Sequence, residues 1–307
     1  MTQVWLRLGS ELPNGEAASL AQCFPGVAFS AVEAPETEVV FTNGSFSDEL
    51  VERLPALRWI HTTRGGGTGY LTPLVRERGI AVTCSRGVHA IPLAEFTEAC
   101  ILAFAKRLPT LWANQRAHRW DESPQPETLV GKIALFLGLG AVNGLAAERL
   151  HEHGMIVRAI RHNLNDVPAF AERVYGWDQL PAILPEADAV IVGLPSDERF
   201  RGRLGEAELR MMKPTSVLIN LVSRGVTPDD VLARALREGW IGGAACNAFD
   251  RTPAAETLWD APNMLIIPNI ASGDRERWKK LKDVFMHNLQ RYLVGDVLAN
   301  VAALGES

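Results

Sequence analysis

The run Ile133-Ala134-Leu135-Phe136-Leu137 is entirely apolar and opens directly into Gly138-Leu139-Gly140-Ala141-Val142-Asn143-Gly144. A strand without polar alternation is buried on both faces, which is the condition of a parallel sheet covered by helices. A glycine turn joining such a strand to a helix points backbone N–H groups at one spot, where an anion is held by the helix N-terminus. This one segment commits the chain to an α/β architecture.

The rest of the sequence repeats that alternation. Strands are expected at 4–8, 27–32, 38–42, 57–62 and 80–83, with a helix at 47–54. A long apolar-faced helix at 95–107 follows, ended near Pro109. The stretch 112–127, with Trp112, Trp120, Pro124 and Pro126, has no clear period and reads as an extended arm or a plain surface loop. A second series then begins, with strands at 133–137, 156–160, 189–193, 217–221, 244–249 and 265–267. A last helix at 276–293 lies beyond that sheet, and it and residues 300–303 are expected to return to the first domain.

At 307 residues the chain is long enough for two domains, and 47% hydrophobic with 22% charged residues is the balance of a globular protein. A formal charge of -5 supplies no basic field for nucleic acid. No stretch approaches the roughly 18 apolar residues a membrane helix needs. The N-terminal residues lack a secretory apolar core and read as a first strand, so a cytoplasmic protein is expected. Cys23, Cys84, Cys100 and Cys246 are too scattered for a metal site or a disulfide framework and read as reduced thiols.

Gly138 and Gly140 hold the first two positions of a G-x-G-x-x-G turn, while Asn143 stands at the third. That glycine serves close helix–strand packing, so its loss is expected to loosen the fit without deleting the anion site. Discrimination between cofactors is made at the end of the next strand, about 20 residues on. Here the chain reads Arg158-Ala159-Ile160-Arg161-His162-Asn163, with no carboxylate before Asp166. A guanidinium forks onto phosphate, so Arg161 and His162 favour NADP(H) over NAD(H). The alternative is that Arg161 merely ends a strand in solvent.

Several stretches together resemble the D-isomer-specific 2-hydroxyacid dehydrogenases, in their glyoxylate/hydroxypyruvate reductase-like branch. They are LRWIHTTRGGG at 57–67, SRGVHAIPLAEF at 85–96, LVGKIALFLGLG at 129–140, MKPTSVLIN at 212–220, GAACNAFDRTP at 243–253 and LWDAPNMLIIPN at 258–269. The resemblance implies two Rossmann-like domains with doubly wound parallel sheets and an active site in the interdomain cleft. Residues 1–95 plus 272–307 would form the substrate domain, and 96–271 the dinucleotide-binding domain, with a dimerisation arm at about 110–128. It implies a homodimer and a small anionic substrate. The cofactor would lie on Gly138, Leu139, Gly140, Ala141, Val142 and Asn143, with Leu194, Pro195, Leu221 and Asn247 at later strand ends. The substrate's carboxylate would take the backbone N–H groups of Arg64, Gly65, Gly66 and Gly67. Arg64 either adds a cation there or is solvated.

The same resemblance marks a departure. The family uses an arginine to clamp the 2-oxo acid, a histidine to move the alcohol proton and a glutamate to orient that histidine. Their places fall on Ser223, Asn269 and Thr252 in this sequence, and Asn247 stands where the family usually has an acid beside the nicotinamide. An amide does not titrate near neutrality, so Asn269 can hydrogen-bond an oxyanion but cannot act as a general acid. Arg224 follows Ser223 directly and is a candidate clamp if a one-residue bulge turns it inward. His89 and His61 remain as titratable candidates, each with a structural role as the alternative. The expectation is an NAD(P)(H)-binding oxidoreductase with an atypical active site and poor 2-keto acid reduction. A repurposed enzyme for imine reduction or lyase chemistry, and a non-catalytic nucleotide-binding regulator, are the alternatives.

Overall fold

The computed structural model describes residues 1–194, 198–249 and 254–302, and within it the chain forms two compact units. One takes Met1–Val88 and the described chain from Arg275 onward, and the other takes His89–Asp274.

The first unit is built on five parallel strands, β1 (Thr2–Arg7), β2 (Val27–Ser30), β3 (Val39–Thr42), β4 (Trp59–Thr62) and β5 (Ala81–Cys84), in the order β2-β1-β3-β4-β5. Alternation along β3 splits the core in two. Val39 and Phe41 face one cluster, and Val40 faces the other with Ile60. The first cluster is closed by the helix Arg277–Val294, whose Leu281, Phe285 and Leu289 are fully buried. Phe285 stacks on Phe41 with ring centroids 4.4 Å apart and on Trp59 at 5.5 Å. The chain end then laces onto β5. Asn300 accepts from the Cys84 N–H, and the Ala302 N–H donates to the Val82 carbonyl.

The second unit carries seven parallel strands. These are β6 (Ile133–Leu137), β7 (Ile156–Ile160), β8 (Ala171–Tyr175), β9 (Ala189–Val192), β10 (Val217–Asn220), β11 (Gly243–Cys246) and β12 (Met264–Ile266), in the order β12-β11-β10-β9-β6-β7-β8. Both faces are covered. Ala134 and Phe136 pack toward the helices Ala90–Ala105 and Ala141–Glu152, and Leu135 and Leu137 pack toward Leu232 and Leu236 of Asp229–Arg237. Strand order reverses between β6 and β9, so the crevice at their carboxyl ends is the expected ligand position in a doubly wound sheet.

Three local expectations need correction. The helix expected from residue 95 begins at Ala90, because Pro92 sits in the first turn, where a missing N–H costs nothing. Pro109 does not end helical structure. Arg107 breaks the helix with φ 57°, and a new helix, Leu108–Arg116, starts with Pro109 in its first turn. Only the remainder of the expected arm, residues 117–128, lacks helix and strand. β8 was not anticipated, since it is an edge strand with Glu172 and Arg173 exposed and shows no apolar run.

Candidate cofactor site and active site

The glycine turn follows β6 at the point of strand reversal. Gly138 has φ 85°, and a Cβ there would stand 2.7 Å from the Gly193 carbonyl oxygen at the end of β9. Only glycine fits that combination. A Cβ on Gly140 would meet nothing within 4 Å, so that side of the turn is open. The 12-residue helix Ala141–Glu152 starts here with Gly140 as its N-cap and no side-chain cap. The N–H groups of Ala141, Val142 and Asn143 therefore have no partner within the helix and are oriented for an anion. An uncapped helix start beside a turn that is closed to a Cβ at Gly138 and open at Gly140 is a cradle that fits a dinucleotide pyrophosphate.

Asn143 does the opposite of loosening this turn. Its side chain is buried, its Nδ2 donates to the Gly138 carbonyl at 2.8 Å, and it packs on the Cα of Gly193 so closely that a Cβ there would lie 2.2 Å from Nδ2. The missing third glycine is thus replaced by a pin across the loop.

At the end of β7 the Arg161 N–H donates to the Tyr175 carbonyl of β8, which fixes the start of the side chain. Its guanidinium is turned onto Asp166. Nη1 donates to the Asp166 backbone oxygen at 2.6 Å and Nη2 pairs with Oδ2 at 2.8 Å. His162 is exposed beside it. Leu194 and Leu221 are buried at the ends of β9 and β10, and Pro195 lies outside the described residues.

Ser223, the residue expected at the place of the family's arginine, is bonded to its own fold. Ser223 is fully buried, accepting at Oγ from the Leu194 N–H at 2.7 Å and donating to the Leu194 carbonyl at the same distance. Its own backbone is bracketed by the Asn220 side chain, with N–H to Oδ1 at 3.0 Å and Nδ2 to carbonyl at 2.9 Å. Asn220 drew no attention in the sequence, although an asparagine closing the apolar strand Val217–Asn220 was a visible signal for such a bracket. Ser223 joins two strand ends; its one hydroxyl proton is committed to the Leu194 carbonyl, and its side chain is buried at 0% exposure. Arg224 is exposed.

Asn247 is also drawn into this lattice. Nδ2 donates to the Leu221 carbonyl at 2.8 Å, and Oδ1 accepts from the Ala271 N–H at 3.1 Å. That contact holds the segment carrying Asn269, which is exposed with φ 58° and whose N–H donates to the Ile267 carbonyl. Asparagine is among the few non-glycine residues that adopt this left-handed geometry readily. Thr252 lies outside the described residues. His89, half-buried, is the N-cap of Ala90–Ala105 without a side-chain capping bond.

In the first unit, Arg64, Gly65 and Gly66 are exposed after β4. The N–H groups of Gly65, Gly66 and Gly67 donate to nothing among the described residues, so they remain available to an anion. Gly67 is pressed onto the chain end, where a Cβ would stand 2.7 Å from Ala302 Cβ. His61 resolves to a core residue. Thr83 Oγ1 accepts from Trp59 Nε1 at 2.8 Å and contacts His61 Nδ1 at 2.7 Å, while Ser85 Oγ donates to the Thr62 carbonyl and contacts His61 Nε2 at 3.2 Å. The proton therefore sits on Nε2, donated to Ser85, and Nδ1 accepts from Thr83. Burial holds this imidazole neutral, with its pKa lowered to about 3.

Comparison with known proteins matches residues 99–271 to the D-isomer specific 2-hydroxyacid dehydrogenase, NAD binding domain. The chain belongs to this family. It is an NAD(P)-dependent oxidoreductase of the 2-hydroxyacid dehydrogenase type. It is 30% identical over 259 residues to a glyoxylate reductase of Thermofilum pendens, covering 81% of this chain and 76% of that one. Its fold is that of the NADPH-dependent glyoxylate/hydroxypyruvate reductase of Sinorhizobium meliloti in complex with NADP and malonate. That superposition has a TM-score of 0.82 at 20% identity and covers 98% of this chain and 97% of the other. An acyclic imino acid reductase in complex with NADPH and D-Arg shares the fold with a TM-score of 0.85 at 16% identity, covering 99% and 100%. Among the described residues there is no helix long and apolar enough to cross a membrane and no group of side chains suited to a metal ion.

Proposed function

We propose that this dehydrogenase-type protein is an NADPH-preferring reductase with an atypical active site, a poor catalyst for 2-keto acids, whose substrate is a small anionic imine that arrives protonated. The observation that carries the reading is Ser223. At the position that the resemblance aligns with the substrate-clamping arginine stands a buried, uncharged hydroxyl whose one proton is given to the Leu194 carbonyl and which accepts from the Leu194 N–H. Asn269 adds to it, because an amide has no proton to give to the alkoxide that forms when a ketone is reduced.

An iminium carbon needs no such acid. The positive nitrogen already withdraws electrons from the carbon, and adding hydride to it yields a neutral amine without a protein proton. A bound nicotinamide supplies that hydride. The chain's own residues do the holding: the cradle from Gly138 to Asn143 takes the pyrophosphate, and Arg161 with His162 takes the 2′-phosphate. The N–H groups of Gly65, Gly66 and Gly67, with Arg64, take the substrate's carboxylate, and the Asn269 amide hydrogen-bonds the reacting nitrogen. Arg224 and His89 are the remaining cationic and titratable side chains of the set, and neither is required by a substrate that brings its own proton. The imino acid reductase of the same fold supports an imine as a substrate this scaffold accommodates.

A homodimer formed through the arm at about 110–128 belongs to the same proposal. Trp112 and Trp120 are 55% and 91% exposed there, more than indole rings of a lone chain usually are. The test of function is NADPH oxidation with glyoxylate and hydroxypyruvate alone, then with a 2-keto acid plus ammonium or methylamine to form the imine. Oxidation that requires the amine is expected. Fast oxidation by the keto acids alone overturns the proposal, and tight NADPH binding without turnover in either mixture replaces it with a regulatory role.

A further inference from the structure

Arg161 is anchored at the end of β7 and has a side chain only 21% exposed, whereas the Asp166 side chain that grips it is 61% exposed. The turn between them doubles back, with Asn163 Oδ1 accepting from the Asn165 N–H at 3.1 Å, so Asp166 meets the guanidinium with both its backbone oxygen and its carboxylate. Two acceptor oxygens on one guanidinium edge is the pattern a phosphate presents. The carboxylate thus stands where the resemblance puts the 2′-phosphate of NADPH, and it belongs to the more exposed partner of the pair, with solvent to turn into.

We infer that Asp166 is an internal competitor for the 2′-phosphate and sets how strongly the protein discriminates between NADPH and NADH. The inference rests on Arg161 being the 2′-phosphate ligand. NADPH has to displace the carboxylate from Arg161 and then bear a like charge nearby, while NADH, lacking the phosphate, leaves the pair intact. Asp166 therefore narrows the preference that Arg161 creates. It is not part of the ribose-binding set, since its acceptor oxygens are directed at the guanidinium.

The measurement is equilibrium binding without turnover, using nicotinamide fluorescence for NADPH and NADH, and calorimetry for 2′,5′-ADP against 5′-AMP. Asp166→Asn and Asp166→Ala are expected to tighten NADPH and 2′,5′-ADP by about three- to tenfold, the scale of a partly exposed ion pair, and to leave NADH and 5′-AMP within about twofold. Unchanged NADPH affinity overturns the inference. Weaker NADPH overturns it as well, by making Asp166 a residue that orients Arg161. A large loss of NADH affinity overturns it by placing the carboxylate on the ribose hydroxyls. Arg161→Ala separates this from the reading beneath it. Equal losses of NADPH and NADH defeat Arg161 as the phosphate ligand, whereas a selective NADPH loss with no effect of the Asp166 variants defeats the competitor alone.

Discussion

Ser223 and Leu194 hold each other through two hydrogen bonds of 2.7 Å that run in opposite directions. The link joins the segment after β10 to the end of β9, both buried. Ser223→Ala strands a buried N–H and a buried carbonyl at once and is expected to cost about 2 kcal/mol of stability. Ser223→Arg, which introduces the residue the resemblance leads one to expect there, is expected to cost more, because a guanidinium has no space in a site of 0% exposure. Urea denaturation of the three proteins checks this, and an alanine variant as stable as the parent would remove the link from the account.

Asn269→His introduces the titratable residue that the resemblance leads one to expect there, without the clamp. A positioned general acid contributes on the order of 10²–10⁴ in rate, but only on a substrate that is held. The variant is expected to leave glyoxylate reduction within about tenfold of the parent. A hundredfold rise in NADPH oxidation would mean that the missing histidine alone limits the reaction.

Asn143 and Gly138 make the third prediction. Asn143→Ala loses the bond to the Gly138 carbonyl and should cost about 1 kcal/mol. Gly138→Ala forces a Cβ both into φ 85° and toward the Gly193 oxygen, so it should cost more than the Asn143 variant and weaken NADPH binding as well. Thermal denaturation with and without NADPH separates the two effects. Equal affinity in Gly138→Ala would place the cofactor elsewhere.

What could be read in advance follows a physical line. β6 and the glycine turn were legible because a strand covered on both faces needs an unbroken apolar run, and the turn's glycines are forced by backbone geometry. β8 was not, since its solvent-facing Glu172 and Arg173 break the pattern that marks a strand. Pro109 was read as a stop because proline both ends and begins helices, and only the φ of Arg107 decides which. At the site, the identity of Ser223, Asn247 and Asn269 was visible, but their bonding was not. Ser223 pairs with a residue 29 positions away, and Asn247 with Leu221 and Ala271, 26 and 24 positions off. Asp166 was noted only as too distant, because the turn that returns it to Arg161 has no periodic signature.

His61 gives the pH prediction. An unfolded histidine takes a proton near pH 6.5, while the buried ring resists until about pH 3. Above pH 6.5 both states are neutral and the ring has no effect on pH dependence. Between those values the unfolded chain binds the extra proton, so stability is lost as the pH falls, by up to about 1.4 kcal/mol per unit. From pH 7.5 to 5.5 the parent should lose about 1.4 kcal/mol more than His61→Asn in denaturant titrations. Parallel losses in the two proteins would mean that the ring titrates normally.

The first unit is interrupted by the whole of the second, and its core is completed by Phe285 while Gly67 of its glycine loop rests on Ala302. On the ribosome this fixes an order of events. The cofactor-binding unit has all its strands once Asp274 has emerged, but residues 64–67 must wait more than two hundred residues for the Ala302 methyl against which Gly67 is packed. Newly made chains therefore complete the strands around the glycine turn before the loop 64–67 is packed, and a change at Ala302 acts directly on that loop, which is proposed to hold the substrate's carboxylate.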